Sequence, residues 1–126
     1  NRMESTFKEE ITDKLAQILE SVEVIEERCK SYQNIDDFLQ TPWGMTILDA
    51  CILRLQVIGE TIKAIDDKTR QALFIRYPQI PWRKVIGLRN IISHEYANID
   101  YEIIWTVIRK HLPPLKETIL LIKEEL

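Results

Sequence analysis

Three glycines and five prolines are all that interrupt these 126 residues, and between them apolar side chains recur at three- and four-residue spacing. A period near 3.6 specifies amphipathic helices rather than strands, so the chain is expected to be all-α. A first helix is expected from about Glu4 to Tyr32, with Phe7, Ile11, Leu15, Ile18, Leu19, Val22 and Ile25 in one stripe. Residues 34–40 read as a polar connection with a short turn. Thr41-Pro42 is a helix start, a capping hydroxyl followed by proline at the first helical position. The second helix then runs to about Ile65 and is apolar almost all round, so it must be covered on every side. Part of that cover is expected from a second subunit. Residues 66–77 read as a short helix and turn. A third long helix opens at Pro81-Trp82, and a break at Asn98-Ile99-Asp100 precedes a last helix capped by Asp100 and kinked at Pro113-Pro114.

The length fits one domain, residues 1–126, with a single core. No apolar run reaches the roughly 18 residues that would cross a bilayer, and no leader pattern is present, so a cytoplasmic protein without membrane attachment is expected. Cys29 and Cys51 lack metal-like spacing and read as buried reduced thiols. With two histidines and no H-E-x-x-H or C-x-x-C, no metal centre and no cofactor are expected; a Gly-rich phosphate loop and a G-x-S-x-G elbow are also missing. The net charge of −3 is unevenly spread. Residues 1–69 carry 8 basic against 14 acidic side chains, residues 70–111 carry 7 against 3. The one positive stretch can hold a polyanion locally, although such an asymmetry is weak evidence alone.

Within that stretch stands Arg89-Asn90-Ile91-Ile92-Ser93-His94-Glu95-Tyr96, an R-x-x-x-x-H-x-Y pattern. At about 100° per residue, Arg89 and Tyr96 lie within about 20° of each other, on one edge of a core face formed by Val85, Leu88, Ile91, Ile92 and Ile99. Asn90 and His94 fall on the opposite, polar side, with Gly87 beneath His94. Glu95 falls inside the apolar stripe, so the helix is expected to distort or end there and re-aim His94 and Tyr96 toward each other. On the second helix Asp49, Gln56, Glu60 and Lys63 form a narrow polar stripe, which is either a solvent seam or a row that brings Glu60 to the cleft of the motif. The motif has its own two readings, a catalytic constellation or an ordinary surface histidine. His111, in Arg109-Lys110-His111, reads as a solvated basic turn.

The motif and its surroundings resemble HepT-like toxins of the HEPN superfamily. The similarity covers nearly the whole chain: Val57-Ile58-Gly59-Glu60, Ile80-Pro81-Trp82, Val85 through Asn90, His94-Glu95-Tyr96, Ile99-Asp100, Ile104-Trp105 and Leu112-Pro113-x-Leu115 follow in order. Glu95 stands where many relatives have glycine. The resemblance implies an antiparallel HEPN bundle of about four to five helices, a homodimer with motif helices near the two-fold, and metal-independent endoribonuclease activity. It further implies a partner antitoxin, an MntA-type nucleotidyltransferase that adds AMP to Tyr96. In such cleavage His94 is the acid/base because imidazole as a class can exchange protons near neutrality, and Arg89 stabilises the charged phosphorane. Asn90 and Glu60 support them, and Tyr96 positions RNA, whether mRNA or tRNA. The competing reading is a non-catalytic helical module that docks a nucleotidyltransferase.

Overall fold

The structure is a computed structural model that describes residues 2–126, with side chains from Glu4 onward. Six α-helices follow one another: α1 Arg2–Cys29, α2 Ile35–Leu39, α3 Pro42–Lys68, α4 Trp82–Glu95, α5 Tyr101–Thr106 and α6 Leu112–Glu125. No strand occurs among the described residues. α3 is the central rod, packed against α1 on one flank and α4 on another, while α6 packs on α1.

α1 buries Ile11, Leu15, Ile18, Leu19, Val22, Ile25 and Cys29 on one stripe, but Phe7, expected in that stripe, is exposed. The helix ends at Cys29, short of Tyr32. Tyr32 instead turns back to stack on Phe38, ring centroids 3.9 Å apart. The segment expected to be a polar connection is in fact a helix, α2. Its Asn34 accepts from Asp37 N while Asp37 accepts from the Asn34 backbone, a reciprocal cap that satisfies two orphan donors. With that cap in place Phe38 is driven fully into the core. Gly44 is what lets α2 sit so close to α3, since a Cβ there would come within 2.4 Å of the Phe38 carbonyl oxygen.

Thr41 caps α3, its Oγ1 accepting from Gly44 N at 2.9 Å, with Pro42 in the first turn. The helix runs to Lys68, a turn beyond Ile65, and stops where Arg70 and Gln71 take left-handed backbone angles. A 3₁₀ turn at Phe74–Arg76 follows. The start of α4 is pinned by Trp82, whose ring stacks on Phe74 at 4.0 Å and whose Nε1 donates to the Tyr77 carbonyl at 2.8 Å. α4 ends at Glu95, where a break is expected, and passes into a 3₁₀ turn, Tyr96–Asn98; the Glu95 side chain itself is exposed. Asp100 then caps α5, accepting from Glu102 N at 2.9 Å.

The expected proline kink takes a specific form. Val107–His111 is a π-helical segment, closed by the Leu112 N–H donating to the Val107 carbonyl five residues back. Pro113 and Pro114 have no N–H for the α-helical ladder, and the wider turn ahead of them absorbs the mismatch. Cys29 and Cys51 are buried as free thiols with their sulfurs 3.6 Å apart across α1 and α3. The hydrogen bond with Cys51 and burial together raise the Cys29 pKa. α3 is covered by its neighbours only in part, because Trp43, Met45, Leu53 and Val57 stay exposed.

Candidate active site

α4 does not lie on α3 by the face that its apolar residues define. Ile92 is buried and Val85 half-buried, but Ile91, expected in the core, is 47% exposed. The row that meets α3 is Val85, Arg89, Ile92, Ser93 and Tyr96, turned toward the polar edge of the stripe. Gly59 decides this. A Cβ at Gly59 would stand 3.0 Å from the Val85 carbonyl oxygen and 3.3 Å from Arg89 N, so the two backbones touch there. Close approach at that point carries Arg89 over α3 and leaves Ile91 outside.

Three polar cross-links then run antiparallel along the α3–α4 seam. Arg89 Nη1 donates to Glu60 Oε1 at 3.3 Å, Gln56 Nε2 donates to Ser93 Oγ at 2.6 Å, and Tyr96 Oη donates to Asp49 Oδ1 at 2.5 Å. Asp49, Gln56 and Glu60, read from sequence as either a solvent seam or a row facing the motif, therefore face the motif helix. Lys63 departs from that row and pairs with Asp67 at 2.7 Å. Arg89 is mostly covered, and its Nε is buried without a hydrogen-bond partner.

His94 and Asn90 are exposed on another side of α4. Their side chains make no hydrogen bond or ion pair among the described residues. Arg89 and His94 are five positions apart, about 140° round the helix, so their side chains diverge within one chain. The break after Glu95 does not turn Tyr96 toward His94; it turns Tyr96 to Asp49. The Tyr96 phenol is pushed up to about 12, first by burial and then by the hydrogen bond and charge of Asp49. No Cβ contact within 4 Å would meet a side chain at Gly87, so the surface beneath His94 is open.

Sequence reasoning had named Asp49 and Gln56 only as members of a stripe, and had given Ser93 no place. Spacing alone does not identify these pairs: 56 and 60 stand four apart, as 93 and 89 do, but 49 and 56 stand seven apart against three for 96 and 93. Cavities among the described residues include two that lie elsewhere. One of about 460 Å³ is lined by Phe7, Lys8, Lys68, Arg70 and Arg76 among others. The other, about 310 Å³, sits between the start of α4 and the π turn and includes Lys84, Leu88 and His111. Arg89, His94 and Tyr96 line neither of these two, and on the motif Asn90, His94 and Tyr96 are exposed. Among the described residues no three His, Cys, Asp or Glu side chains converge as a metal site, and no helix is long and apolar enough to cross a membrane.

A strand-free bundle with an R-x-x-x-x-H-x-Y helix at its surface is consistent with the all-α HEPN fold. The chain belongs to the ribonuclease HepT-like family, whose model matches residues 18–122. Among curated relatives it is 39% identical, over 89% of its own length, to a protein of Methanocaldococcus jannaschii named "Gamma-glutamylcyclotransferase and putative RNase"; the match spans 47% of that protein. It is 31% identical to a "Putative RNase" of Caldanaerobacter subterraneus subsp. tengcongensis, covering 83% of this chain and 87% of the relative. The "Probable ribonuclease HepT" of Thermococcus cleftensis is also 31% identical, over 82% and 87% of the two chains. The chain thus spans about half the length of the first of these relatives and most of the other two. No solved structure gives a significant match.

Proposed function

We propose that this chain is a metal-independent endoribonuclease, the toxin of a toxin–antitoxin pair, acting as a homodimer. The observation that carries the reading is a guanidinium anchored on α3 and an unpartnered, exposed imidazole on another side of the same helix of a HepT-like bundle. The exposure of Asn90, His94 and Tyr96 suits contact with an extended polymer such as mRNA or tRNA. In the reaction the 2′-hydroxyl attacks the neighbouring phosphorus, a base takes its proton, and an acid protonates the leaving 5′-oxygen. His94 is the acid/base, since imidazole titrates near neutrality. Arg89 holds the phosphate and stabilises the charge of the pentacoordinate state with its planar fork. Asn90 orients His94 or the phosphate, and Glu60 holds Arg89 in place until the phosphate competes for it.

The divergence of Arg89 and His94 within one chain favours a composite cleft between two copies. Exposed Leu53, Val57 and Ile91 on α3 and α4 are apolar surface that a second copy can cover. The partner that silences this toxin is a nucleotidyltransferase of the MntA type, which joins AMP to Tyr96 Oη. Each AMP adds bulk and a negative charge beside Arg89, which repels RNA.

The test is cleavage of a labelled RNA by wild type, His94→Ala and Arg89→Lys, with and without EDTA. His94→Ala is expected to lose about 10²- to 10⁴-fold in rate with its fold intact. Arg89→Lys is expected to be severely impaired, because a point ammonium cannot reproduce the fork. Chelation is expected to change nothing. Activity that vanishes with EDTA and returns with Mg²⁺ would refute the mechanism, and a folded, unmodified wild type inert toward RNA without its partner would favour a docking module.

A further inference from the structure

Tyr96 begins the 3₁₀ turn that follows α4, and its ring is 45% exposed. Its hydroxyl is not free, however: it donates to Asp49 Oδ1 at 2.5 Å, across 47 positions of chain. Asp49 lies in the second turn of α3, a long helix fixed by the core, so the carboxylate has a rigid base. No lysine or arginine among the described residues forms an ion pair with Asp49, and its carboxylate accepts from the phenol. A phenol within solvent reach, held at hydrogen-bond distance by an unpaired carboxylate, is the arrangement of a nucleophile with its base. The titratable groups facing Tyr96 are Asp49 from α3 and Tyr101 from α5, with His94 and Glu95 next to it in sequence.

We propose that Asp49 is the proton acceptor that makes Tyr96 a nucleophile toward the α-phosphorus of a nucleoside triphosphate, an inference that rests on Tyr96 being the AMP acceptor. In the step, the bond from Tyr96 Oη to the α-phosphorus forms as the bond from that phosphorus to the bridging oxygen breaks. Pyrophosphate leaves with the electron pair, and the phenolic proton passes to Asp49 Oδ1 and on to solvent. An aspartate accepting a hydroxyl proton serves the same purpose in protein kinases. The need for it is acute here, because burial and Asp49 together push the phenol up to about 12. Free phenolate is then very scarce at neutral pH, and transfer to a positioned base is the open route. The acceptor protein would thus carry part of the catalytic machinery for its own silencing.

The experiment follows the initial rate of AMP addition by intact mass, using an MntA-type nucleotidyltransferase with ATP and Mg²⁺, from pH 6 to 9. The substrates are wild type, Asp49→Asn, Asp49→Glu and, as a control, Tyr96→Phe. At pH 7 Asp49→Asn is expected to be about 10²- to 10⁴-fold slower than wild type, with Asp49→Glu partly restored. The ratio of wild-type to Asp49→Asn rates is expected to fall about tenfold per pH unit, since the variant must draw on phenolate. Taking the ratio cancels titration within the transferase. Equal rates for the two, or a deficit of the same size at every pH, would overturn the inference and reduce Asp49 to a tether. Wild type that gains no AMP would sink the acceptor reading itself, a different result from either.

Discussion

Arg89 is turned along α3 to Glu60, so a phosphate must compete with a carboxylate 3.3 Å away. Half of the Glu60 side chain is in solvent, and such pairs contribute about 0–1 kcal/mol. Glu60→Gln is therefore expected to lower the KM for RNA by up to about fivefold and to change folding stability by less than about 1 kcal/mol. Steady-state kinetics and urea melts check both, and a raised KM would mean that Glu60 aims Arg89 rather than competing with the phosphate. Tyr96 gives a pH signature. Its phenol is raised from 10.0 to about 12, so the folded state holds the proton more tightly than the unfolded chain does. The stability this contributes is complete below about pH 10 and is lost as pH rises from about 10 to about 12. Ultraviolet titration of wild type against Tyr96→Phe isolates the group. Tyr96→Phe is also expected to escape silencing, with no AMP mass gained on co-expression with the transferase and cleavage at least partly retained.

At the scale of elements, two glycines of similar standing in the sequence differ completely in the fold. Gly59 is where α3 and α4 touch, and Gly59→Ala must push Val85 and Arg89 outward. A loss of about 1–3 kcal/mol is expected, with the Arg89–Glu60 contact disturbed. Gly87 meets nothing within 4 Å, so Gly87→Ala is expected to stabilise the isolated chain by about 0.5–1 kcal/mol through helix propensity alone. Thermal melts of the two variants give opposite signs if the seam is as described. α2 is legible in the sequence only through its cap. Asn34-x-x-Asp37 before Phe38 is a capping signature, but five residues are too few to show a helical period. Asn34→Ala is expected to cost about 0.5–2 kcal/mol, read from the same melts.

For the whole molecule the prediction concerns the second copy. Sedimentation at micromolar concentration is expected to give twice the 14.9 kDa chain mass. A glutamate at Leu53, 59% exposed, is expected to yield a folded species of 14.9 kDa that no longer cuts RNA. A folded wild-type monomer with full activity would rule out the composite cleft. The sequence by itself determined the helical class, the long helices, the Thr41 and Asp100 caps, the stop at Glu95 and the family. Each of these follows from period, capping chemistry or motif, which are local properties of the chain. Which face of α4 meets α3 was decided only in the tertiary structure. Apolar content pointed to Ile91 and Leu88, but closest approach at Gly59 outweighed it and turned Arg89, Ser93 and Tyr96 inward. The partners of those side chains, Glu60, Gln56 and Asp49, lie 29 to 47 positions away. No periodicity can specify them, because they are set by how two backbones pack.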